Sequence, residues 1–379
     1  MGSAVTRALR RVGVLVAATA VAMQPGCSTT GRLARDAGPV LFPAPPSPPR
    51  IAFVTTVGSA WGSAKPRRGL TRFLFGPDAG SAGTITKPFG LAAGGGTLLV
   101  CDTRQSVVHV FDFNEGRYDR LGDRAAGRLV KPVAVAMDTD GDRYVADTGR
   151  RQIVVFSAEN EAIRELGARG DEGFKPVAIA VHDGRLYVAN GAQHRVDVLD
   201  PVSGKRLASF GKAGGGPGEL LYPSGLAVDG AGRIYVADQL NCRVQVFAPD
   251  GGLVAQFGRP GDRAGEFARP KHLAVGPDGI VYVVDAAFQR LQMFDHDGRV
   301  LMLFGGPGAR GGSMVLPAGV CIDRSILPHV SDKLPAGFDA AYLVFVSDQF
   351  SASKVSVFAF GRMGGRGGGA LGRAVGAAW

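Results

Sequence analysis

The sequence predicts an all-β fold, a six-bladed β-propeller closed by an N-terminal strand. Three observations predict it. A motif that begins at a proline recurs six times, at Pro88, Pro132, Pro176, Pro223, Pro270 and Pro317, in steps of 44 or 47 residues. Each copy runs into a second apolar segment that ends in an acid or amide: Asp102, Asp147, Asn190, Asp238, Asp285 and Asp348. Throughout the repeat region, short runs rich in Val, Ile, Tyr and Phe are bounded by Gly, Pro or Asp, with no sustained 3.6-residue apolar period. Such runs are strands, and four of them in a period in the mid-forties make a propeller blade.

The elements follow in order. First strands begin KPFGLA at Lys87, KPVAVA at Lys131, KPVAIA at Lys175, YPSGLAV at Tyr222, RPKHLAV at Arg269 and LPAGVCI at Leu316. Second strands end at the acids and the amide named above. Third strands end on Phe111, Phe156, Leu199, Phe247, Phe294 and Phe358. Fourth strands close on an apolar–Gly pair at Phe75, Leu121, Leu166, Phe210, Phe257 and Phe304. The phase sets the topology, because the repeats open on a fourth-strand unit (70–76) and end on a third-strand unit (355–358). An open array would leave unpaired edges in water. Pairing 70–76 into the sixth blade removes them. The strand-like segment 50–57 is then left over, with an extension of the closing blade as its available place.

Outside the repeats, residues 1–26 read as an export signal. Arg7, Arg10 and Arg11 precede an apolar run over 12–23 that is too short to span a bilayer, and no later run is long enough. Cys27 follows Gly26 directly, the pattern of a lipoprotein signal in which the cysteine is lipidated; cleavage after Ala20-Val21-Ala22 is the competing reading. Residues 27–50 hold Pro43, Pro45, Pro46, Pro48 and Pro49 and read as a semi-rigid linker. The propeller is placed over 51–360, and 361–379 is a Gly/Arg-rich flexible tail. A 45% hydrophobic share excludes wholesale disorder, and four cysteines in 379 residues exclude a disulfide scaffold.

The segment YPSGLAVDGAGRIYVADQLNCRVQVF, over 222–247, resembles the NHL repeat. The resemblance covers most of the region 70–360 and implies a six-bladed propeller of the exported, lipidated bacterial type. It says much less about activity, since the fold hosts unrelated functions. Some look-alikes lie beside envelope cytochromes. Lyases of similar fold bind zinc through several axial histidines, and propeller lactonases hold calcium with an axial Glu and Asn/Asp set.

Two residues after each repeat proline stand Gly90, Ala134, Ala178, Gly225, His272 and Gly319, so the axis carries one imidazole among small residues. His272 alone makes at most a partial metal site, because zinc takes three or four protein ligands. His109, His182, His194, His296 and His329 fall at other repeat phases, and the glutamates fall in turns or outer strands. Asp138, Asp140 and Asp142 alternate like a calcium loop, but Gly149 stands where the bidentate acid belongs, so a turn is the simpler reading. The glycine-rich stretches 211–218 and 305–312 lack Gly-Lys-Ser/Thr and read as blade-to-blade loops. Cys101 and Cys321 fall inside strands, and Cys242 in a loop. Neither a cofactor nor a metal is expected.

The remaining feature is basic. Net charge is +10. Lys87, Lys131, Lys175 and Arg269 precede first strands, while Arg195, Arg243, Arg290 and Lys354 open third strands, with Arg104 and Arg151 near in phase. First-strand starts and second-strand ends share one face of a propeller, so these charges form a rim. Repetition of the strand-end acids at one phase assigns them to loop support instead. Blade six also carries an insertion over 324–341, read as a second contact surface on the opposite face. The reading is a non-catalytic binding or scaffold module of the bacterial envelope. Its expected partner is an envelope protein, a cytochrome complex among the options, or an anionic glycolipid; nucleic acid is not expected. The location expected is an outer-membrane lipoprotein facing the periplasm or cell surface. The alternative is a metal-dependent lyase or hydrolase with an axial site around His272.

Overall fold

The computed structural model describes residues 39–44, 46–58, 84–167, 171–308 and 310–364. Among them the chain forms six antiparallel sheets: five of four strands, each in consecutive order, and one of five that joins two N-terminal strands to the last three of the chain. This is a six-bladed propeller. First strands run Pro88–Gly94, Pro132–Met137, Pro176–His182, Pro223–Val228, Pro270–Val275 and Pro317–Asp323. Each contacts the next in turn, and the last contacts the first, so the ring is closed.

The core is distributed accordingly. Six apolar clusters form, one between each neighbouring pair of blades. The alternation of each strand explains this, because successive side chains face opposite neighbours and both faces are covered. Second and third strands are buried almost end to end: LLVCD and RYVAD make no distinction between faces. Fourth strands are the outer edge, and in blades three and four they are largely exposed.

Closure uses a different segment from the one expected. The fourth strand of blade six is Ile51–Val57, paired antiparallel with Val355–Met363, and the short strand Leu41–Phe42 adds a fifth. Segment 70–76 lies outside the described residues. The choice of 51–57 has a clear physical basis. Each fourth strand ends on an apolar residue and a left-handed glycine, and an apolar plug from the following loop covers that glycine: Leu129 on Gly122, Phe174 on Gly167, Leu220 on Gly211, Phe267 on Gly258, Met314 on Gly305. Val57 and Gly58 (φ +77°) repeat the arrangement, with Ile85 as the plug. A side chain at Gly58 would stand 2.3 Å from Ile85 Cδ1, so only glycine fits there. The folded sheet therefore begins before residue 51 and continues past 360 to Met363, taking residues from both flanking segments.

The blade-six insertion is folded as well. Leu327–Lys333 forms a 3-10 helix, and the second strand is lengthened to Phe338–Asp348. Ile326, Val330 and Phe338 are buried in the cluster shared by blades six and one. Ser325 Oγ accepts a bond from the Gly96 N–H at 2.7 Å, and His329 Nε2 lies 3.1 Å from Asn114 Oδ1. This segment covers the seam between the two blades, so its apolar residues are committed to the fold.

Candidate functional site

The rim is built by the strand-end acids. Asp147 accepts backbone N–H groups from Val130 (2.6 Å) and Lys131 (2.9 Å) before its blade's first strand, and from Gly149 and Arg150 in the turn after its second. Asp102, Asp285 and Asp348 do the same, and Asn190 substitutes its amide oxygen. These acids are essentially buried. Burial alone would raise the Asp102 carboxyl, but the contact with His109 and the N–H groups of Thr86, Gln105 and Arg104 outweigh it and pull the pKa down to about 2. One side-chain acceptor, a carboxylate in five blades and the Asn190 amide in the third, thus ties two loops together at the same end of every blade, and the ring places these loops on one face.

Not all the expected rim cations reach solvent. Arg243 is buried, bonded to Asp238 (2.9 Å) and to the carbonyls of Gly216 and Glu219, so it fastens a loop and cannot meet a partner. Arg195 pairs with Asp197 at 2.7 Å. Arg290 donates to the carbonyls of Asp262 and Arg263 and lies on the Phe288 ring, and Lys354 reaches the Gln349 carbonyl. Near them Arg151 approaches Glu172 at 3.8 Å, while Arg104 is exposed. The loop cations differ. Among the described residues Lys87, Lys131, Lys175 and Arg269 are paired with no carboxylate, because the nearby acids are filled by backbone N–H groups. Lys131 and Arg269 are exposed; Lys87 lies over the Phe350 ring and Lys175 over Tyr222.

Sequence reasoning missed the apolar half of this face. Val130, Leu240, Val315 and Phe350 are 46–64% exposed, and all four sit in the rim loops. Leu240 and Phe350 follow Asp238 and Asp348 in the second-to-third turns, where the repeat shows a signal: a large apolar residue in a turn that elsewhere carries Arg, Gly or Ala.

At the axis, every first strand has a β-bulge just after its proline. The small residues two positions on are explained by backbone crowding. A Cβ at Gly90 would stand 2.6 Å from the Val133 carbonyl, at Gly225 2.7 Å from His272 Cα, and at Gly319 2.3 Å from the Phe89 carbonyl. These side-chain positions point at the next blade rather than into an open channel. His272 follows suit: its Nδ1 accepts the Val320 N–H at 3.5 Å. Burial first, and then the neighbouring Lys271, hold its imidazole neutral, with a pKa of about 4. Among the described residues no three His, Cys, Asp or Glu side chains converge as metal ligands.

The residue that does enter the axial region is Lys271, one position earlier and on the bulge. Its Nζ lies 4.4 Å from the Phe89 ring centroid. Lys271 belongs to blade five and Phe89 to blade one, with blade six between them, so the contact crosses toward the axis. Burial, then repulsion from Arg269 and Lys87, lowers its pKa to about 8, with Asp348 opposing. The phase gives the signal: the matching residues are Phe89, Val133, Val177, Ser224 and Ala318, none of them charged.

Other motifs resolve as local structure. Asp138 caps its own turn through Asp140 and Asp142 N–H groups and the Tyr144 hydroxyl, and Asp142 pairs with Arg164. In 211–218 the Glu219 carboxylate accepts the Gly216 N–H and pairs with Lys212. Cys101 and Cys321 are buried thiols, raised by that burial, and Cys242 is partly exposed. Cys27 and the export signal lie outside the described residues, and no helix among those described is long and apolar enough to cross a membrane.

The closed ring of six antiparallel sheets defines a six-bladed β-propeller. The family model for the NHL repeat matches residues 220–247, so the chain is a propeller that carries an NHL repeat. It is 50% identical over 48 residues to the lin-41 protein of Caenorhabditis elegans, which is 13% of this chain and 4% of that protein. NHL repeat-containing protein 3 of Homo sapiens is 30% identical over 108 residues, 26% of this chain and 31% of the relative. The chain thus spans under a third of these curated relatives. Among solved structures, a gluconolactonase from Xanthomonas campestris superposes with a TM-score of 0.52 at 17% identity, covering 73% of this chain and 86% of that one. That likeness is one of fold.

Proposed function

We propose that this protein is a non-catalytic binding module whose rim face docks an acidic surface of an envelope protein. The observation that carries the reading is the pairing of charge and apolar area on that face: Lys87, Lys131, Lys175 and Arg269 have no carboxylate partner among the described residues, and Val130, Leu240, Val315 and Phe350 stand exposed among them. Unpaired cations steer an anionic partner, and the exposed apolar side chains supply the area that desolvates on contact. The Lys271 amine at the axial mouth adds charge to the same face. The NHL repeat and its relatives support a scaffold role. Export, lipidation at Cys27 and the envelope as the compartment belong to this proposal and rest on the N-terminal sequence.

The test is crosslinked capture from native envelope with the full chain. Replacing Lys87, Lys131, Lys175 and Arg269 by Glu is expected to abolish capture of the partner, while Phe350→Ser weakens it without changing its salt dependence. Unchanged capture by the fourfold variant overturns the reading. Binding to vesicles of anionic glycolipid with no protein present would replace the protein partner with a lipid one.

A further inference from the structure

Blade five departs from the repeat beside the axis. The residue after the repeat proline is Phe89, Val133, Val177, Ser224 or Ala318 in the other blades and Lys271 in this one. Its side chain reaches past blade six to the Phe89 ring, with Nζ 4.4 Å from the centroid. The amine has no hydrogen-bond acceptor among the described residues. It is half-buried yet still open to solvent, so a ligand can reach it.

Two more cations stand around it. Arg269, two residues earlier, and Lys87, two residues before Phe89, both repel the Lys271 charge. Arg269 is exposed, and Lys87 Nζ lies 5.8 Å from the Phe350 ring centroid. Neither has a carboxylate partner among the described residues. Asp348 opposes the cluster but cannot close it. Its oxygens already accept the N–H groups of Val315 (2.6 Å), Leu316 (3.1 Å), Phe350 (3.1 Å) and Ser351 (2.9 Å). With a pKa of about 8, the Lys271 amine is charged at pH 7. Three cations against one carboxylate leave two positive charges at the axial mouth, partly withdrawn from water and without an acceptor. Charge held in this way opposes folding and attracts an anion.

We propose that Lys271, Arg269 and Lys87 hold the dianionic phosphate group of a phosphomonoester at the mouth of the axis. Such a group carries about −1.5 to −2 charges near neutral pH and three acceptor oxygens, so it offsets the excess charge and offers each cation an oxygen. The Phe89 and Phe350 rings lie against two of the amines without competing for the anion's place. Other ligand classes fit less well. A carboxylate or a phosphodiester brings a single charge and two free oxygens, a neutral ligand leaves the excess charge in place, and a cation adds to it. The site goes beyond the rim reading and does not depend on which partner the rim docks.

Titration calorimetry of the full chain with methyl phosphate tests this at about pH 7.5, where the monoester is mainly dianionic. Saturable one-site binding is expected, with dimethyl phosphate and acetate weaker by roughly ten-fold or more. Lys271→Met should weaken methyl phosphate by roughly ten-fold or more without lowering the thermal midpoint, because it removes an unpaired charge. Lys205→Met takes the same charge from an exposed third-to-fourth-strand turn on the opposite face and should leave the affinity unchanged. Glucose 6-phosphate and vesicles carrying phosphatidic acid separate a soluble phosphomonoester from a lipid headgroup, and the tighter of the two names the source. No saturation by methyl phosphate, equal affinity in Lys271→Met, equal losses in Lys271→Met and Lys205→Met, or dimethyl phosphate bound as tightly would each overturn the proposal. Loss of envelope capture with methyl phosphate still bound would leave this site standing and overturn the rim reading alone.

Discussion

Two side chains, one buried and one half-buried, show how differently a charge can be held in this fold. Asp238 sits in a full set of donors, from the Leu221 N–H at 2.6 Å and the side chains of Asn241, Arg243 and Gln245, so its burial stabilises two loops at once. Among the described residues Lys271 has no such set: it meets an aromatic face, the repelling cations Arg269 and Lys87, and the opposing charge of Asp348. Its ammonium is therefore disfavoured by folding. Because its folded pKa is about 8 and its ordinary value 10.5, the unfolded chain holds that proton more tightly. Below pH 8 the penalty is fully present, and it disappears as pH rises toward 10.5. Lys271→Met should accordingly stabilise the protein at pH 7, by at most about 3 kcal/mol, and the gap from wild type should close by pH 10.5. Urea unfolding at the two pH values measures it. A lysine retained against stability is consistent with a part in recognition at the axial mouth.

At the level of strands, the ring is sealed at the seam where blade six meets blade one. Ser347 bridges it, accepting the Gly319 N–H at 2.8 Å and donating to the Phe89 carbonyl, in a position that is Ala in blades two to four. Ile51–Val57 completes the outer half of the same blade. Deleting residues 39–57 should expose the edge of Val355–Met363 and the apolar cluster behind it, lowering the thermal midpoint by more than about 10 °C and broadening the transition. Differential scanning calorimetry against a chain lacking only residues 1–38 decides this. Most strands were legible because proline, acid and apolar–glycine marks recur at fixed spacing. The closing strand was misassigned for a physical reason: Val57-Gly58 carries the right mark, but it stands far further in sequence from its plug Ile85 than in other blades, and Phe75-Gly76 lies at the customary distance. The rim was half legible. Charge repeats in sequence, whereas the burial of Arg243 and the exposure of Leu240 and Phe350 depend on loops from neighbouring blades.

On the scale of the whole molecule, cohesion comes from six equivalent interfaces rather than one centre. No blade is privileged except the one shared by both ends of the sheet. A chain re-ordered to begin at Gly215 and end at Gly214, with residues 39 and 364 joined by a short flexible linker, should fold and unfold in a single transition within a few degrees of the parent. Circular dichroism on heating would show it, and a linear array would instead lose cooperativity. That shared blade also sets a schedule. Residues 51–57 leave the ribosome early and Val355–Met363 late, so roughly 300 residues of strand must be made before the final sheet has both its halves. Throughout synthesis the earliest strand waits for the latest, and whatever escorts the nascent polypeptide must shield it until then.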